Sequence, residues 1–209
     1  MLVSLENVSV RFGNTPVIAG VDFVVSAGEV VGVAGPNGAG KTTLLGVVAT
    51  LTPPTGGGGR VLGAELGTRE TWQVRPRIGW AGHDPGLYPD LTLRENLALS
   101  ASIAGIALSE ADAALEAVGL AAAGHRRADR SSNGMQRRID LARLLMLSPD
   151  LVLLDEAHAG LDNAADEIIS EILRRTRAKG GGALLVSHDA RRLAEDTDRV
   201  LRIERGTVR

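Results

Sequence analysis

The run Gly35-Pro36-Asn37-Gly38-Ala39-Gly40-Lys41-Thr42 is composed to hold phosphate. It matches the spacing G-x-x-x-x-G-K-[ST]. Glycines let backbone N–H groups turn inward around β- and γ-phosphate oxygens. A helix opening at the lysine adds its partial positive end. On this reading Lys41 neutralises the β/γ-phosphates and the Thr42 hydroxyl ligates Mg²⁺. Gly35, Pro36, Asn37, Gly38, Ala39 and Gly40, with Thr43, complete the candidate nucleotide-binding set. The context fits: Val30-Val31-Gly32-Val33-Ala34 reads as a buried strand, and 41–50 as a helix that stops at Pro53-Pro54. Of 23 Lys and Arg residues, Lys41 and Lys179 alone are lysines. A chain that has drifted toward arginine keeps lysine in this loop.

A second element is Leu151-Val152-Leu153-Leu154-Asp155-Glu156. An apolar strand ending in two carboxylates puts charge at the strand's C-terminal edge, where open α/β sheets bind ligands. Asp155 is expected to hold Mg²⁺ through water. Glu156 is expected to orient and deprotonate an attacking water.

With these two elements the chain resembles, over essentially its full length, the nucleotide-binding subunit of an ATP-binding cassette (ABC) transporter. Ser131-Ser132-Asn133-Gly134-Met135-Gln136 is similar to the family's Leu-Ser-Gly-Gly-Gln signature. The resemblance implies a γ-phosphate site made by the Ser132 hydroxyl and the Gly134 amide. Ala159-Gly160-Leu161-Asp162 resembles the loop that crosses the dimer seam. Val186-Ser187-His188-Asp189 resembles the switch-histidine segment, with His188 at the γ-phosphate. Phe12 resembles the aromatic that stacks on adenine. The implied assembly is a head-to-tail pair, each ATP held between one chain's loop and the other's signature. A separate transmembrane subunit is the implied partner.

The chain departs from the family pattern at several positions. Gly82-His83-Asp84 stands where the family usually has Gln. The register from Ile78 puts His83 at that place, as a neutral imidazole near Mg²⁺, with Asp84 as the alternative ligand. Asn133 replaces a signature glycine, Ser131 its leucine, and Ala157 the Pro that follows the catalytic Glu. The Gly-His pair, the Ser-x-Gly-Met-Gln form and Leu87-Tyr88-Pro89-Asp90-Leu91-Thr92 are similar to the cytochrome c maturation haem exporter ATPases.

Composition narrows the class. The chain has 209 residues, 44% hydrophobic and 23% charged, with net charge −2, as one soluble domain with subdomains would. There is no Cys, which excludes disulfides, thiolate zinc and cysteine nucleophiles. Two Phe, two Trp and one Tyr are too few for a single-strand stacking platform. The net charge also disfavours a phosphate-backbone binder. The arginine pairs at 126–127, 137–138, 174–175 and 191–192 read as solvated faces. The longest uncharged stretch, 42–59, contains Pro53-Pro54 and Gly56 to Gly59, so it is no spanning helix. The start shows no signal peptide. A cytoplasmic chain, peripheral on the inner membrane face through its partner, is the expectation.

The elements that must position these residues follow from periodicity. Strands are predicted over 2–11, 17–25, 30–34, 77–81, 151–154, 183–186 and 199–203. Helices are predicted over 91–119 (Ser109 capping with Asp112), 136–147, 164–177 and 190–196. Gly56 to Gly59 reads as a flexible loop. Buried strands alternating with helices imply an α/β fold with a mainly parallel sheet. The resemblance makes this a P-loop NTPase (RecA-like) core, with an N-terminal antiparallel β part and an inserted helical subdomain. It is one ABC ATPase domain, with core 1–83 and 150–209 and helical subdomain 84–149. The expected function is ATP hydrolysis that powers a transporter. The rivals are a soluble cassette ATPase acting on nucleic acid or ribosomes, which a salt-dependent shift on DNA or RNA would reveal, and a low-turnover ATP-binding module, which a rate measurement would reveal.

Overall fold

The computed structural model describes residues 1–82, 84–156, 163–187 and 190–208. Two sheets form. The first is antiparallel and consists of β1 (Val3–Phe12), β2 (Thr15–Val25), β4 (Gly56–Val61) and β5 (Ala64–Glu65), in the order β2-β1-β4-β5. The second holds β3 (Val30–Ala34), β6 (Ile78–Ala81), β7 (Leu151–Asp155), β8 (Gly182–Val186), β9 (Arg199–Glu204) and β10 (Thr207–Val208). Its order is β10-β9-β3-β8-β7-β6, parallel except for the β9–β10 pair. The helices are α1 (Lys41–Val48), α2 (Thr71–Val74), α3 (Leu93–Ala104), α4 (Ser109–Ala117), α5 (Asn133–Leu147), α6 (Asn163–Ala178) and α7 (Ala190–Asp196).

Strand parity divides the core. Val31, Val33, Leu151, Leu153, Leu184 and Val186 face α1 and the antiparallel sheet. Val30, Val152, Leu154, Ala183 and Leu185 face the other way, into one apolar cluster with residues of α3, α4, α5 and α6. A strand buried on both faces has no polar alternation to show, which is why β3, β7 and β8 read as continuous apolar runs.

Several expectations need correction. Gly56 to Gly59 is not a loop but the start of β4, paired to β1 from Val3 to Ser9. Local composition argued against a strand, and tertiary pairing overrode it. Glycine is required there because the strand runs against β1: a Cβ on Gly59, at φ +150°, would stand 2.0 Å from the Ser4 carbonyl oxygen. The helix expected over 91–119 is two helices, broken at Gly105 in the left-handed conformation. Ser109 does not cap α4; Leu108 holds that position with no side-chain bond. Asp112, expected to complete that box, instead takes a bidentate bond from Arg94 at 2.6 and 2.8 Å. The capping box lies at Thr92 and Glu95, where threonine and glutamate have the spacing it needs. α1 ends at Val48, short of the prolines; Thr50 is left-handed, and Arg75 donates to its carbonyl and hydroxyl oxygens. α5 starts at Asn133, not Gln136. The short elements β5, α2 and β10 carried no periodic signal. Arg137 is not on a solvated face: it is buried, while Arg174 and Arg175 are exposed around Glu171. Among the described residues no helix is long and apolar enough to cross a membrane.

The two strand glycines make a paired test. Gly59→Ala must push backbone against backbone, and a positive-φ glycine replaced by alanine loses more than about 1 kcal/mol. Gly58, with no atom within 4 Å of a built Cβ, should tolerate alanine within several tenths. Urea midpoints of the two variants check this; equal midpoints would remove the close-approach account.

Candidate functional site

The site forms where β3 and β7 end on the same edge of the parallel sheet. Beyond Ala34 the chain turns at Gly35, whose φ is +156°. A Cβ there would lie 2.3 Å from the Ile203 carbonyl oxygen of β9, so only glycine lets the loop leave the sheet at this point. The loop closes at Gly40 and α1 begins. The first-turn amides of a helix have no intrahelical partner. No acidic residue occupies the first turn of α1, and no side chain caps it.

Lys41 is 8% exposed. Its Nζ donates to the Gly35 and Pro36 carbonyl oxygens at 2.8 and 3.0 Å. The ammonium is thus folded back over the loop it belongs to. Thr42 Oγ1 donates to Asp155 Oδ2 at 2.8 Å. Asp155 is the last residue of β7 and is buried. Glu156 follows at φ 55°, a left-handed conformation that a non-glycine residue adopts only under constraint from its surroundings. A cleft of about 240 Å³ is lined by Val17, Asn37, Gly38, Gly40, Lys41, Thr42, Thr43, Asp155 and Glu156. Lys41 is the only cation among these residues.

The structure therefore brings together most of the expected loop residues with Asp155 and Glu156. Gly35, Pro36 and Ala39 shape the loop without lining the cleft. Phe12 does not line it either; the ring sits at the end of β1, 58% exposed. Ser132 and Gly134 are also absent from the lining. Ser132 is exposed at the start of α5, where its hydroxyl accepts from the Met135 amide at 3.3 Å. His83, His188, Ala157 and the segment 159–162 lie outside the described residues, so the metal contact expected of His83 and the γ-phosphate contact expected of His188 have no geometry here. Asp84 is exposed.

Sequence reasoning missed four residues. Val17 lines the cleft beside the loop and carries no chemical signal. Asn96 is buried and ties the 88–92 segment: its Oδ1 accepts from the Tyr88 amide at 2.8 Å and its Nδ2 donates to the Tyr88 and Thr92 carbonyls. Arg137 and Asp140 are buried on α5. A charge at an apolar-periodic position was the available sign for Asp140, which stands between Ile139 and Leu141.

The ABC transporter family profile matches residues 18–159, more than half of the chain. The chain belongs to the ABC transporter family. It is 39% identical over 204 residues to the lipoprotein-releasing system ATP-binding protein LolD of Anaeromyxobacter dehalogenans, covering 93% of this chain and 85% of that one. It is 36% identical over 188 residues to the cytochrome c biogenesis ATP-binding export protein CcmA of Ruegeria pomeroyi, covering 90% and 85%. Among solved structures, a dimeric post-hydrolysis state of the ATP-binding cassette MJ0796 bound to ADP and Pi superposes with a TM-score of 0.88 at 26% identity, covering 99% of this chain and 96% of that one. This ABC cassette has the P-loop NTPase fold expected of it, and it is an ATPase subunit of the transporter type. The haem exporter branch is not singled out, since a lipoprotein-releasing cassette matches at least as well.

Removing the one cation of the cleft should be decisive. Lys41→Ala is expected to abolish ATP binding in a fluorescence or calorimetric titration, with the thermal midpoint as a control on folding. Unchanged nucleotide affinity would sink the assignment of the loop.

Proposed function

We propose that this ABC cassette hydrolyses ATP between Lys41, Thr42 and Asp155 on one side and Glu156 on the other, and so powers a separate membrane-spanning subunit. One observation carries the reading: the Thr42–Asp155 hydrogen bond places a hydroxyl from the start of α1 and a strand-end carboxylate side by side in the cleft lined also by Lys41 and Glu156. In this proposal Asn37 to Thr43 cradle the phosphates with backbone N–H groups, and Lys41 exchanges the Gly35 and Pro36 carbonyls for β/γ-phosphate oxygens. Thr42 and Asp155 are two adjacent hard oxygen donors. Such a pair fits Mg²⁺, which takes one or two protein ligands and completes its shell with phosphate and water. When bound, Mg²⁺ neutralises charge on the β- and γ-phosphates. Glu156 accepts the proton of the water whose oxygen attacks the γ-phosphorus as the bond to the β–γ bridging oxygen breaks.

Ser132 and Gly134 are proposed to serve a second copy. Ser132 is exposed and Gly134 half-buried, and neither lines its own cleft, as a head-to-tail pair requires; the MJ0796 cassette is a dimer. His83 and Asp84 remain the proposed alternatives for the metal contact that the family gives to Gln, and His188 the proposed γ-phosphate contact. Phe12, exposed at the end of β1, is proposed to reach adenine only once nucleotide is bound. The segment 84–149 is proposed as the helical subdomain within one ABC ATPase domain. A haem-exporter-like cargo is proposed on the Leu87-to-Thr92 segment and the Ser-x-Gly-Met-Gln form. The cytochrome c relative supports it; the lipoprotein-releasing relative marks it as one cargo class among those the family serves. Co-purification with a multi-span membrane protein tests the partner.

Glu156→Gln tests the chemistry. Binding of ATP should persist while turnover falls by roughly 10²–10⁴, the usual worth of a positioned proton acceptor. An ATP-bound dimer should then accumulate and elute early on size exclusion. Hydrolysis at the parent rate would show that Glu156 is not the base.

A further inference from the structure

Outside the cleft, among the described residues, buried charge is concentrated in one row. Arg137, in the first turns of α5, is 6% exposed, and Asp140, one turn further, is 1% exposed. Their neighbours Ile139, Leu141 and Ala142 fill ordinary core positions. Arg143 Nη2 donates to Asp140 Oδ1 at 2.5 Å, and an Nη2 bond of 2.8 Å also runs to the Trp80 carbonyl at the end of β6. The other carboxylate oxygen, Asp140 Oδ2, faces Arg137 Nη1 at 4.0 Å. Neither of these two atoms has a hydrogen-bond partner. Arg137 Nη2 reaches away from them and donates to the Asp155 carbonyl oxygen at 3.3 Å. Burial pushes the Asp140 carboxyl up, against the pull of Arg143 and Arg137, and pushes the Arg137 guanidinium down.

Stability does not account for this row. A buried ion pair with imperfect geometry is often no better than apolar residues of the same size. The contact at Asp155 does account for it. The Asp155 carbonyl and the Glu156 N–H belong to one peptide unit. Arg137 holds its oxygen, and the Val186 carbonyl of β8 accepts from its N–H at 3.0 Å. That peptide joins the two candidate carboxylates, and its plane sets the left-handed φ of Glu156 and hence the direction of its side chain. β8 grips one end of the peptide, and the helix that opens with Ser132 grips the other.

We propose that Arg137 is a positioning residue for hydrolysis: from the signature helix it locks the peptide between Asp155 and Glu156, and Asp140 and Arg143 tether that grip to the end of β6. A shift of α5 or of the β6 end then turns the carboxylates of the same chain's cleft. The inference rests on the reading of Asp155 and Glu156 as the hydrolytic pair.

The test uses the full chain with Mg-ATP. Arg137→Met keeps an unbranched apolar stem of similar reach to the arginine methylenes and removes the guanidinium grip. Its kcat should fall about 10–100-fold, as it does when an outer-shell partner is lost, with ATP affinity within about threefold of the parent. Arg143 still pairs with Asp140 in this variant, so the folded fraction at the assay temperature should match the parent's even if the thermal midpoint falls. Arg137→Lys should recover part of the rate, because one ammonium can reach the Asp155 carbonyl but cannot span to Asp140. Asp140→Asn keeps an acceptor for Arg143 and removes the charge behind Arg137. It should lower kcat less than Arg137→Met does, and add nothing in the Arg137→Met background. Parent kcat in Arg137→Met, or a raised KM at unchanged kcat, overturns the proposal. So does a loss of rate matched by the loss of folded protein. Should Arg137→Met fail to fold, parent kcat in Asp140→Asn overturns it instead. A parent chain without Mg-dependent hydrolysis overturns the ATPase reading first, and this inference with it; an active parent with an unaffected Arg137→Met overturns this inference alone.

Discussion

The hydrogen bond between Thr42 Oγ1 and Asp155 Oδ2 joins residues 113 positions apart, and much of the fold exists to make it possible. It requires β3 and β7 to point the same way, so that the loop after one and the carboxylates after the other emerge on one edge. β8 sits between them and is parallel to both. It also requires fixed register. Leu153 and Leu154 face opposite cores, so a slip of one residue would exchange every side chain between faces and carry Asp155 out of reach. Double-sided burial thus makes the position of one carboxylate as certain as the packing of the sheet.

Strain and charge accumulate at that same strand end. Glu156 is left-handed without being glycine, and the peptide before it is gripped from β8 and from α5. Such conformations persist only where the surroundings over-determine them. The surroundings here are unusual for an apolar core: an aspartate and an arginine buried on one helix, with a second arginine reaching the end of β6. The buried row connects three places that the family resemblance treats separately, namely the end of β6, the signature-like helix start and the proposed hydrolytic carboxylates. In a single chain these are neighbours through α5.

The cleft is open on one side. Its lining carries one cation and two carboxylates, while the signature serine faces solvent with its hydroxyl occupied only by a helix amide. A nucleotide held by this chain alone would keep its far side in water. In the proposed head-to-tail pair, the exposed Ser132 of one copy would face the open side of the other copy's cleft.

By itself the sequence determined the loop, the strand that precedes it and the carboxylates that end β7. These are local: glycine spacing, a continuous apolar run and an acid at its end are written in consecutive residues. It also determined the alternation that yields a mainly parallel sheet. Tertiary structure decided what depends on partners distant in the chain. The glycines of β4 look like a loop until β1 is laid against them, close enough that a Cβ would collide. Asp112 looks like a cap until Arg94 claims it. Arg137 looks like half of a solvated pair until α5 packs and turns it toward Asp155. In each case the residue type permits several partners, and only packing in three dimensions selects one, because a hydrogen bond or a close contact is decided by distance in space and not by spacing along the chain.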